Sequence, residues 1–273
     1  MMNSLIYQIY YDTNSKNSLD PGFVPLNNTD NQRPDWYELW VIKKFLENEN
    51  LSDDTWYGFL SPKFHAKTGL RAEDIYSFIN KVDSNTDVVT ISYSWDQLAY
   101  FINPFEQGDL FHPGLMKCSQ EFSDLMGIDL DIPTFVGHSG NSAFCNFIIA
   151  KPAYWKKWLE LASALFDLVE KGKEPLAKEL GGMTSYGSVR NKAPLKTFVQ
   201  ERFPSIILSS NEFNTSSLDI SHTPIFRRLF DETPRTRRLL QTCDFLKSEY
   251  SKSKDPDLLT AYWKIRALIP RKF

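Results

Sequence analysis

Three short segments concentrate the residue types that binding sites and active sites use. Each combines glycine or proline with polar side chains and aromatic rings, and they are Trp56–Phe64, Asn103–Gly114 and Gly137–Phe147. Glycine lets the backbone approach a ligand closely, proline stiffens a loop, and aromatic rings offer flat apolar faces. Each segment also adjoins an apolar run that predicts a strand or a helix. We therefore expect these segments to form ligand-binding loops.

The segment Asn103–Gly114 carries the strongest candidate for acid–base chemistry. Its histidine, His112, lies in a proline-stiffened turn and is preceded by Glu106 and Asp109. A nearby carboxylate can orient an imidazole and tune its pKa. We therefore predict His112 as a catalytic base, with Asp96, Glu106 and Asp109 as carboxylate alternatives and His138 as a second histidine candidate. The alternative is a histidine that only shapes the turn.

The segment that follows the predicted strand Trp56–Leu60 offers positive charge. Ser61, Lys63 and Lys67 come directly after this strand. In parallel sheets, ligands bind at the carboxyl ends of the strands, where such loops lie. These residues are therefore predicted to bind an anionic group, and solvated surface lysines are the alternative. A second candidate group of cations occurs later in the chain, at Arg227 and Arg228 near His222.

The elements that must position these residues alternate between strand and helix. Apolar, β-branched and aromatic runs predict strands, and apolar residues at helical spacing predict helices. In chain order the first elements are strand Leu5–Tyr11, helix Asp35–Leu46, strand Trp56–Leu60, helix Ala72–Val82 and strand Asp87–Ser92. This βαβαβ order predicts a parallel sheet flanked by helices.

The rest of the chain is predicted to extend this α/β core within a single domain, residues 1–273. The predicted elements are helix Gly114–Met126, strand Phe144–Ala150, helix Pro152–Val169, a short helix Thr197–Phe203 and a last buried strand Ile206–Leu208. Residues 12–33 are predicted to be a long loop. Residues 1–170 form the predicted ligand-binding core, residues 171–224 a mobile loop with the last strand, and residues 225–273 a basic, helical C-terminal region.

Composition narrows the class of protein. The chain of 273 residues is 42% hydrophobic and 24% charged, which is sufficient for a buried core. Its net charge of −3 gives no reason to expect nucleic acid as a partner. The three scattered cysteines predict neither a disulfide framework nor a zinc site, and they favour a reducing compartment. No signal peptide and no apolar stretch of about 20 residues is present, so we expect a cytoplasmic protein.

The segment Gly137–Trp158 resembles the donor-site region of GT-A-type nucleotide-sugar glycosyltransferases. A Ser-Gly-Asn stretch leads into an asparagine-containing strand and then into a helix that opens with an aromatic residue and lysines. The segments 6–12, 56–69 and 103–114 are similar to those of bacterial capsule and O-antigen glycosyltransferases. The resemblance spans residues 5–165. It implies a GT-A-like, Rossmann-like α/β fold, with a mixed, mostly parallel sheet flanked by helices and a helical C-terminal extension.

The resemblance also implies where a sugar nucleotide would bind. Tyr10, Tyr11 and Asp12 close the first predicted strand, where such enzymes place the nucleobase. The loop after the second predicted strand would hold the diphosphate, because a leaving diphosphate requires positive charge. The donor-binding residues so implied are Tyr10, Tyr11, Asp12, Ser61, Lys63, Lys67, His138, Ser139, Asn141 and Asn146.

The chain departs from the family pattern at the metal site. Such enzymes usually carry an Asp-x-Asp motif that holds a divalent cation against the donor diphosphate. The residues after the strand Asp87–Ser92 do not match it, and the one literal match is Asp129-Leu-Asp131. Asp129 and Asp131 are therefore the candidate ligands for Mn²⁺ or Mg²⁺, and transfer without a metal stays open.

Two hypotheses about function follow. The first is a glycosyltransferase that moves a sugar from a nucleotide-sugar donor to a saccharide or a lipid-linked saccharide of a bacterial capsule or O-antigen. Its further partners would be a membrane surface or other polysaccharide-assembly proteins. The second is a non-catalytic carbohydrate- or nucleotide-binding module of such a system.

Overall fold

The main sheet of the molecule has six strands and contains one strand that runs against the others. The computed structural model describes residues 3–186, 188–226 and 228–272. The strands are β1 (Asn3–Tyr10), β2 (Val24–Asn27), β3 (Thr55–Leu60), β4 (Val88–Thr90), β5 (Ile148–Ala150), β6 (Met183–Tyr186), β7 (Ser188–Pro194) and β8 (Thr215–Ser217). The strand order is β2-β1-β3-β5-β4-β8, and β6 and β7 form a separate antiparallel pair.

Helices and a 3₁₀ turn at Pro34–Trp36 connect and flank these strands. The helices are α1 (Thr13–Asn17), α2 (Tyr37–Asn48), α3 (Phe64–Thr68), α4 (Ala72–Ile79), α5 (Trp95–Tyr100), α6 (Pro104–Phe111), α7 (Leu115–Leu125), α8 (Pro152–Lys171), α9 (Pro175–Gly181), α10 (Leu195–Gln200), α11 (Phe203–Leu208), α12 (Pro234–Ser253) and α13 (Pro256–Ala267).

Strand direction decides which loops meet. β1 is parallel to β2 and β3, β8 is parallel to β4, and β5 is antiparallel to both β3 and β4. Five strands of the main sheet therefore point the same way. Their carboxyl ends lie along one edge, which we call the carboxyl edge, and the amino end of β5 joins them there. The prediction of a mixed, mostly parallel α/β sheet flanked by helices is confirmed.

The centre of the sheet is buried on both faces because helices cover both. Every residue of β3 is buried, so the strand reads as a continuous apolar run rather than an alternating one. Phe59 packs in the core on one side of the sheet, and Trp56 packs in the core on the other. Gly58 allows β5 to come close, because a Cβ here would lie 3.0 Å from the Ile149 side chain.

The C-terminal helices are fastened to the sheet by buried polar contacts. The Lys247 ammonium of α12 donates to the carbonyl oxygens of Leu98 at 2.5 Å and Phe101 at 2.7 Å, at the end of α5. The Tyr262 hydroxyl of α13 donates to the Tyr100 carbonyl at 2.7 Å. The predicted helical C-terminal region is confirmed as the hairpin α12–α13.

Several predictions of local structure are wrong. The segment Asn103–Gly114, predicted as a loop, contains helix α6, and only the last three residues of the predicted strand Phe144–Ala150 form β5. Ile206–Leu208 belongs to helix α11 rather than to a strand, because Pro204 stands in the first helical turn, where its missing N–H is harmless. Residues 12–33, predicted as a loop, contain α1 and the edge strand β2, and residues 171–224, predicted as a loop with one strand, contain α9, the β6–β7 pair, α10 and α11. In the described part of the chain, no helix has the length and apolar character needed to cross a bilayer.

Candidate functional site

A half-buried lysine marks the carboxyl edge beside β3. Lys67 lies on α3, and its ammonium is 5.3 Å from the centroid of the Tyr93 ring and 5.4 Å from that of Phe147. Cations are attracted to the faces of aromatic rings, so the two rings fix where this charge sits. No carboxylate among residues 3–186, 188–226 and 228–272 lies within ion-pair distance of the Lys67 ammonium, although the charges of Glu38 and Glu201 act on it. The ammonium is therefore available to an anionic ligand.

One carboxylate near Lys67 comes from the start of α2. Burial raises the pKa of Glu38, while the charges of Lys67 and Lys63 and the hydroxyl of Ser61 act in the opposite direction. Ser61 also accepts a hydrogen bond from the Lys63 amide at 3.1 Å, which shapes the turn after β3. The loop after β3 and the first turn of α2 thus place two ammonium groups, a hydroxyl and a carboxylate together.

A second carboxylate reaches the same place from the connection between α10 and α11. Burial raises the pKa of Glu201, Arg202 and Lys67 lower it, and the negative charge of Glu38 raises it. Arg202 is only 3% exposed, and its guanidinium donates to Glu201 Oε2 at 3.0 Å and to Gln107 Oε1 at 3.0 Å. We call Glu38, Ser61, Lys63, Lys67 and Glu201 the Lys67 cluster.

The charge state of the Lys67 cluster follows from its surroundings. Burial on its own would lower the pKa of Lys67, but negative charge from Cys145, Glu38 and Glu201 raises it overall. Burial holds the pKa of the Cys145 thiol at about 12, so at neutral pH this thiol stays protonated. The carboxylates are therefore the groups that keep Lys67 charged, and Cys145 is a poor nucleophile because thiolates, not thiols, attack.

Strained backbone flanks this cluster on two sides. Tyr37, directly before Glu38, has φ 49° and ψ −130°, and Ser94, directly after Tyr93, has φ 60°. Non-glycine residues in such conformations cost on the order of 1–3 kcal/mol each and concentrate at functional sites. This backbone strain is an observation independent of the charges. It also favours a functional site at the Lys67 cluster.

The predicted donor-binding residues at the ends of β1 and β3 do come together. Register pairs Gln8 with Leu60, so the residues that follow β1 lie beside those that follow β3. The Gln8 side chain donates to the Ser61 carbonyl at 3.3 Å and joins the two loops. Tyr10 and Tyr11 remain partly exposed, whereas Asp12 caps α1 by accepting from the Ser15 amide at 2.6 Å.

The other four predicted donor-binding residues hold their own loop together. His138 accepts from the Gly140 amide through Nδ1, and Asn141 accepts from the His138 amide. The Ser139 hydroxyl donates to Asp244 of α12 at 2.6 Å. Asn146 accepts from the Trp158 indole at 3.0 Å. These contacts fix the segment that leads into β5, and with it Cys145 and Phe147 beside Lys67.

The predicted catalytic carboxylates do not converge. Asp109 accepts hydrogen bonds from the amides of Gly114 and Met116 at the start of α7, at 3.0 and 3.1 Å. Glu106 accepts from the Ile102 amide and pairs with Arg266 of α13 at 2.7 Å. Each of these two carboxylates therefore satisfies backbone or helix-packing groups.

Asp96 and His112 are both buried, and the two side chains contact different residues. Asp96 accepts from the Phe226 amide at 2.6 Å, and burial raises its pKa to about 6. The His112 ring stacks on Phe198 with centroids 3.5 Å apart. Burial and the charge of Arg202 lower the pKa of His112 to about 4, so its imidazole is neutral at physiological pH. The predicted role of His112 as a base stays a prediction.

The described residues do not fit a bound Mn²⁺ or Mg²⁺. Asp129 and Asp131 are exposed, and Asp131 accepts from the Thr134 hydroxyl at 2.7 Å. Asp129 lines a separate groove with Lys157 and Glu212. Within the described ranges, no group of three His, Cys, Asp or Glu side chains could hold a metal ion. In the Lys67 cluster the two carboxylates flank an ammonium, which disfavours a second cation there.

Sequence reasoning missed Glu38, Tyr93, Glu201 and Arg202. The sequence pattern puts Glu38 on the polar face of an amphipathic helix. A charge is usual there, so Glu38 did not stand out as a site residue. No local signal marks Glu201 and Arg202 either, because the surrounding residues 195–208 also include Lys196, Thr197, Gln200 and Ser205. Of the second predicted cation group, Arg227 lies outside the described residues, and His222 is exposed.

Comparisons with known proteins identified no relative of this chain. A scan against protein-family models, a search of curated proteins and a search of solved structures each found no match to this chain.

Proposed function

We propose that this chain is a glycosyltransferase that uses a nucleotide-sugar donor, and that the Lys67 cluster is its active site. The observation that carries the proposal is the Lys67 ammonium, which is held between two rings at the carboxyl edge without a carboxylate partner among the described residues. Anionic ligands of open α/β sheets bind at this edge. A diphosphate flanked by a nucleoside and a sugar matches a site with cations at its centre and aromatic side chains around it.

In this proposal Lys67 and Lys63 stabilise the leaving diphosphate. The acceptor hydroxyl attacks the anomeric carbon, the bond between that carbon and the diphosphate oxygen breaks, and the electron pair stays on the diphosphate. The two ammonium groups are already in place where this negative charge develops, and such preorganised charge is a large source of rate. The attacking hydroxyl also loses its proton, and a base of the protein must accept it.

Glu38 is the proposed acceptor of the hydroxyl proton. Its raised pKa brings it closer to the range in which a carboxylate accepts a proton at neutral pH. Glu201 is the weaker candidate, because it already accepts a charged hydrogen bond from Arg202. The bacterial surface-polysaccharide acceptor and the GT-A-like character of the fold are parts of the same proposal. The mixed, mostly parallel sheet is compatible with that fold.

Donor binding tests this proposal directly. Wild-type protein should be titrated with a panel of UDP-, GDP-, dTDP- and CMP-sugars by thermal shift and calorimetry, with release of the free sugar measured in parallel. Lys67→Met keeps the length of the side chain and removes its charge. We expect it to weaken donor binding by on the order of 10²-fold or more, because a desolvated charge-assisted contact with phosphate is lost.

Lys156→Met is the matched control, because Lys156 is an exposed lysine of α8. It should bind the donor as the wild type does. Equal donor affinity in the Lys67 and Lys156 variants would overturn the placement of the site. Tight binding by the wild type without any sugar release or transfer would favour the non-catalytic binding module.

A further inference from the structure

A network of charged side chains precedes Glu38 in the chain. The Arg33 guanidinium donates to both carboxylate oxygens of Asp35, at 3.0 and 2.9 Å, and to Glu170 of α8 at 2.7 Å. A guanidinium that donates two hydrogen bonds to one carboxylate is held in a defined orientation. The 3₁₀ turn that contains Asp35, and that leads into α2, is therefore anchored to α8.

Lys196 of α10 joins this network from a distant part of the chain. Its side chain is 5% exposed, and its ammonium donates to Asp35 at 2.7 Å. The same ammonium lies over the Trp36 ring, 3.8 Å from its centroid, and the Trp36 indole donates to Glu170 at 3.0 Å. A cation–π contact is strongest when the ammonium is desolvated and the ring is tryptophan. We call Arg33, Asp35, Trp36, Glu170 and Lys196 the Trp36 clamp.

The Trp36 clamp is connected to both carboxylates of the Lys67 cluster. On one side, Trp36 stands two positions before Glu38. On the other, Lys196 lies on α10, and Glu201 directly follows the last residue of that helix. Successive helical residues rise 1.5 Å, so Lys196 and Glu201 lie about 7.5 Å apart along this helix. The clamp thus ties the segment that carries Glu38 to the helix that ends at Glu201.

Strained backbone lies between the clamp and Glu38. Tyr37 has φ 49° and ψ −130°, and such a conformation persists only where the surrounding structure over-determines it. The Tyr37 side chain is 42% exposed, so its own packing is a weak restraint. The clamp holds the residues before Tyr37, and the buried face of α2 holds the residues after it. Without the clamp the backbone at Tyr37 is able to relax, and Glu38 moves with it.

The carboxylates of the clamp are ionised at neutral pH. Burial on its own would raise the pKa of Asp35, but hydrogen bonds from Arg33 and Lys196 lower it to about 2. The pKa of Glu170 is also lowered, chiefly by the hydrogen bond from Arg33. The ion pairs that hold the turn before Glu38 therefore persist under the conditions in which Glu38 would accept a proton.

We propose that the Trp36 clamp positions the proton acceptor of the transfer reaction, with Lys196 as its central positioning residue. This inference rests on the proposed role of Glu38. Among the described residues, the clamp forms no hydrogen bond or ion pair with Lys63 or Lys67, the groups proposed to hold the diphosphate. Loss of the clamp should therefore slow the transfer and leave donor affinity unchanged.

Lys196→Met tests this role, because it removes the ammonium and keeps the length of the side chain. A displacement of about 1 Å at a reacting group can cost 10²-fold in rate, so we expect single-turnover transfer to fall on the order of 10–100-fold. Donor affinity in calorimetry should equal that of wild type. Lys196→Arg, which keeps the positive charge, should restore part of the rate.

Lys43→Met is the matched control. Lys43 is also a buried lysine that pairs with a carboxylate, Glu47, and lies over an aromatic ring, that of Phe166, but it does not belong to the clamp. This variant should lose stability in urea and still transfer sugar at the wild-type rate. Glu170→Gln is a milder variant of the clamp, because the Glu170 side chain is 30% exposed. It should change the rate in the same direction as Lys196→Met, and by less.

Two measurements separate positioning from a general loss of stability. If Lys196 acts through Glu38, Lys196→Met should not slow the transfer further in a Glu38→Gln background. The pKa of Glu38, followed by carbon-13 NMR, reports the same placement without any reaction. Burial raises this pKa in the wild type. Access of solvent to Glu38 in Lys196→Met should therefore lower it by about 0.5 or more, towards that of an exposed glutamate.

Two results would overturn the clamp proposal. One is a Lys196→Met variant, or a Glu170→Gln variant if the first does not fold, that is less stable but keeps the wild-type rate and the wild-type pKa of Glu38. The other is an equal loss of rate with and without the Glu38 carboxylate. If the wild type transfers no sugar and Lys196→Met still lowers the pKa of Glu38, the proposed function fails and the positioning of Glu38 by the clamp stands.

Discussion

The loop after β3 and the segment Asn103–Gly114 are similar in sequence and differ in use. Both contain proline, glycine or aromatic residues with charged neighbours, and both follow an apolar run. In the first, no carboxylate of the described chain lies within ion-pair distance of the Lys67 ammonium, and Glu38 and Glu201 act on it through their charges. In the second, the Asn103 side chain accepts from the amides of Phe105 and Glu106 to cap α6.

The difference between these two regions lies in the helices that follow them. The segment Asn103–Gly114 must turn the chain sharply between α5, α6 and α7, which leaves several amides without partners inside a helix. Asn103, Glu106 and Asp109 accept hydrogen bonds from those amides, which hold their side chains in place. The loop after β3 has only one short helix to begin. A polar side chain is thus free for a ligand only where the backbone around it is satisfied by other means.

The largest effect expected from this comparison is on the Lys67 cluster. Glu38→Gln keeps the shape of the side chain and removes the proton acceptor. We expect sugar transfer to fall by on the order of 10²–10⁴-fold while donor affinity changes little. Stability should not fall, because a half-buried charge with a raised pKa is removed. Single-turnover rates and urea unfolding measure both, and a transfer rate equal to that of wild type would exclude Glu38 as the base.

Glu106→Gln is the same chemical change in the other region, and the opposite result is expected. Glu106 pairs with Arg266 and accepts from the Ile102 amide, so its loss leaves a largely buried guanidinium without its partner. We expect a loss of about 2–3 kcal/mol in the free energy of unfolding. Donor affinity should stay at the wild-type value in calorimetry. A large drop in transfer by a stably folded Glu106 variant would restore the predicted catalytic role.

Protonation of His112 should make the free energy of unfolding depend on pH. Its pKa is about 4 in the folded protein and about 6.5 in the unfolded chain, so the unfolded state binds the proton first as pH falls. Stability is therefore present above pH 6.5 and is lost towards pH 4. Lowering the pH from 7 to 5 should therefore reduce the free energy of unfolding by about 2 kcal/mol through this histidine.

Urea midpoints of wild type and His112→Gln at the two pH values measure this cost. The variant should lose less stability than wild type on acidification. Some loss should remain in the variant, because the pKa of His138 is also lowered to about 4 and its protonation favours the unfolded state too. His222→Gln, at an exposed site, should follow the wild-type curve. If His112→Gln instead lowers transfer by orders of magnitude at neutral pH with unchanged stability, the imidazole acts as the predicted base.

The smallest effect is expected from replacing the two aspartates of the Asp-x-Asp sequence. Asp129→Ala with Asp131→Ala should change the free energy of unfolding by less than about 0.5 kcal/mol per site, because both side chains are exposed. Donor binding with and without manganese should be the same as for wild type. Complete loss of a manganese-dependent gain in donor affinity would show that these residues bind the metal after all.

Local sequence patterns were sufficient for three strands of the early sheet and for the longer helices. β1, β3 and β4, with α2 and α4 between them, follow from apolar runs whose period is set by the backbone. The position of the loop after β3 at the carboxyl edge was also predictable, because it follows a strand of a parallel sheet directly, whereas its anion-binding role stays a prediction. These features depend on residues that are close together in the chain.

The rest depends on contacts that no local pattern encodes. Glu201 lies more than 130 positions after Lys67, and it reaches the cluster only because α10 and α11 pack across the sheet. Ile206–Leu208 has a composition that suits a strand and a helix equally, and the tertiary packing decides. The roles of His138 and Asn141 in their own turn could not be read from their types, because the same polar atoms would serve a ligand equally well.

The antiparallel strand β5 also sets the order in which this molecule can be assembled. β3 and β4 make no hydrogen bonds to each other, and three residues, Ile148–Ala150, connect them. During synthesis, the chain up to residue 147 therefore contains the half-sheet β2-β1-β3 with an open inner edge and the strand β4, both of whose partners come later in the chain. Such edges invite pairing with other chains, and closing them requires partners about 60 to 90 positions apart, which is slow. Newly made protein should be most vulnerable to aggregation in the interval before β5 leaves the ribosome and inserts between its neighbours.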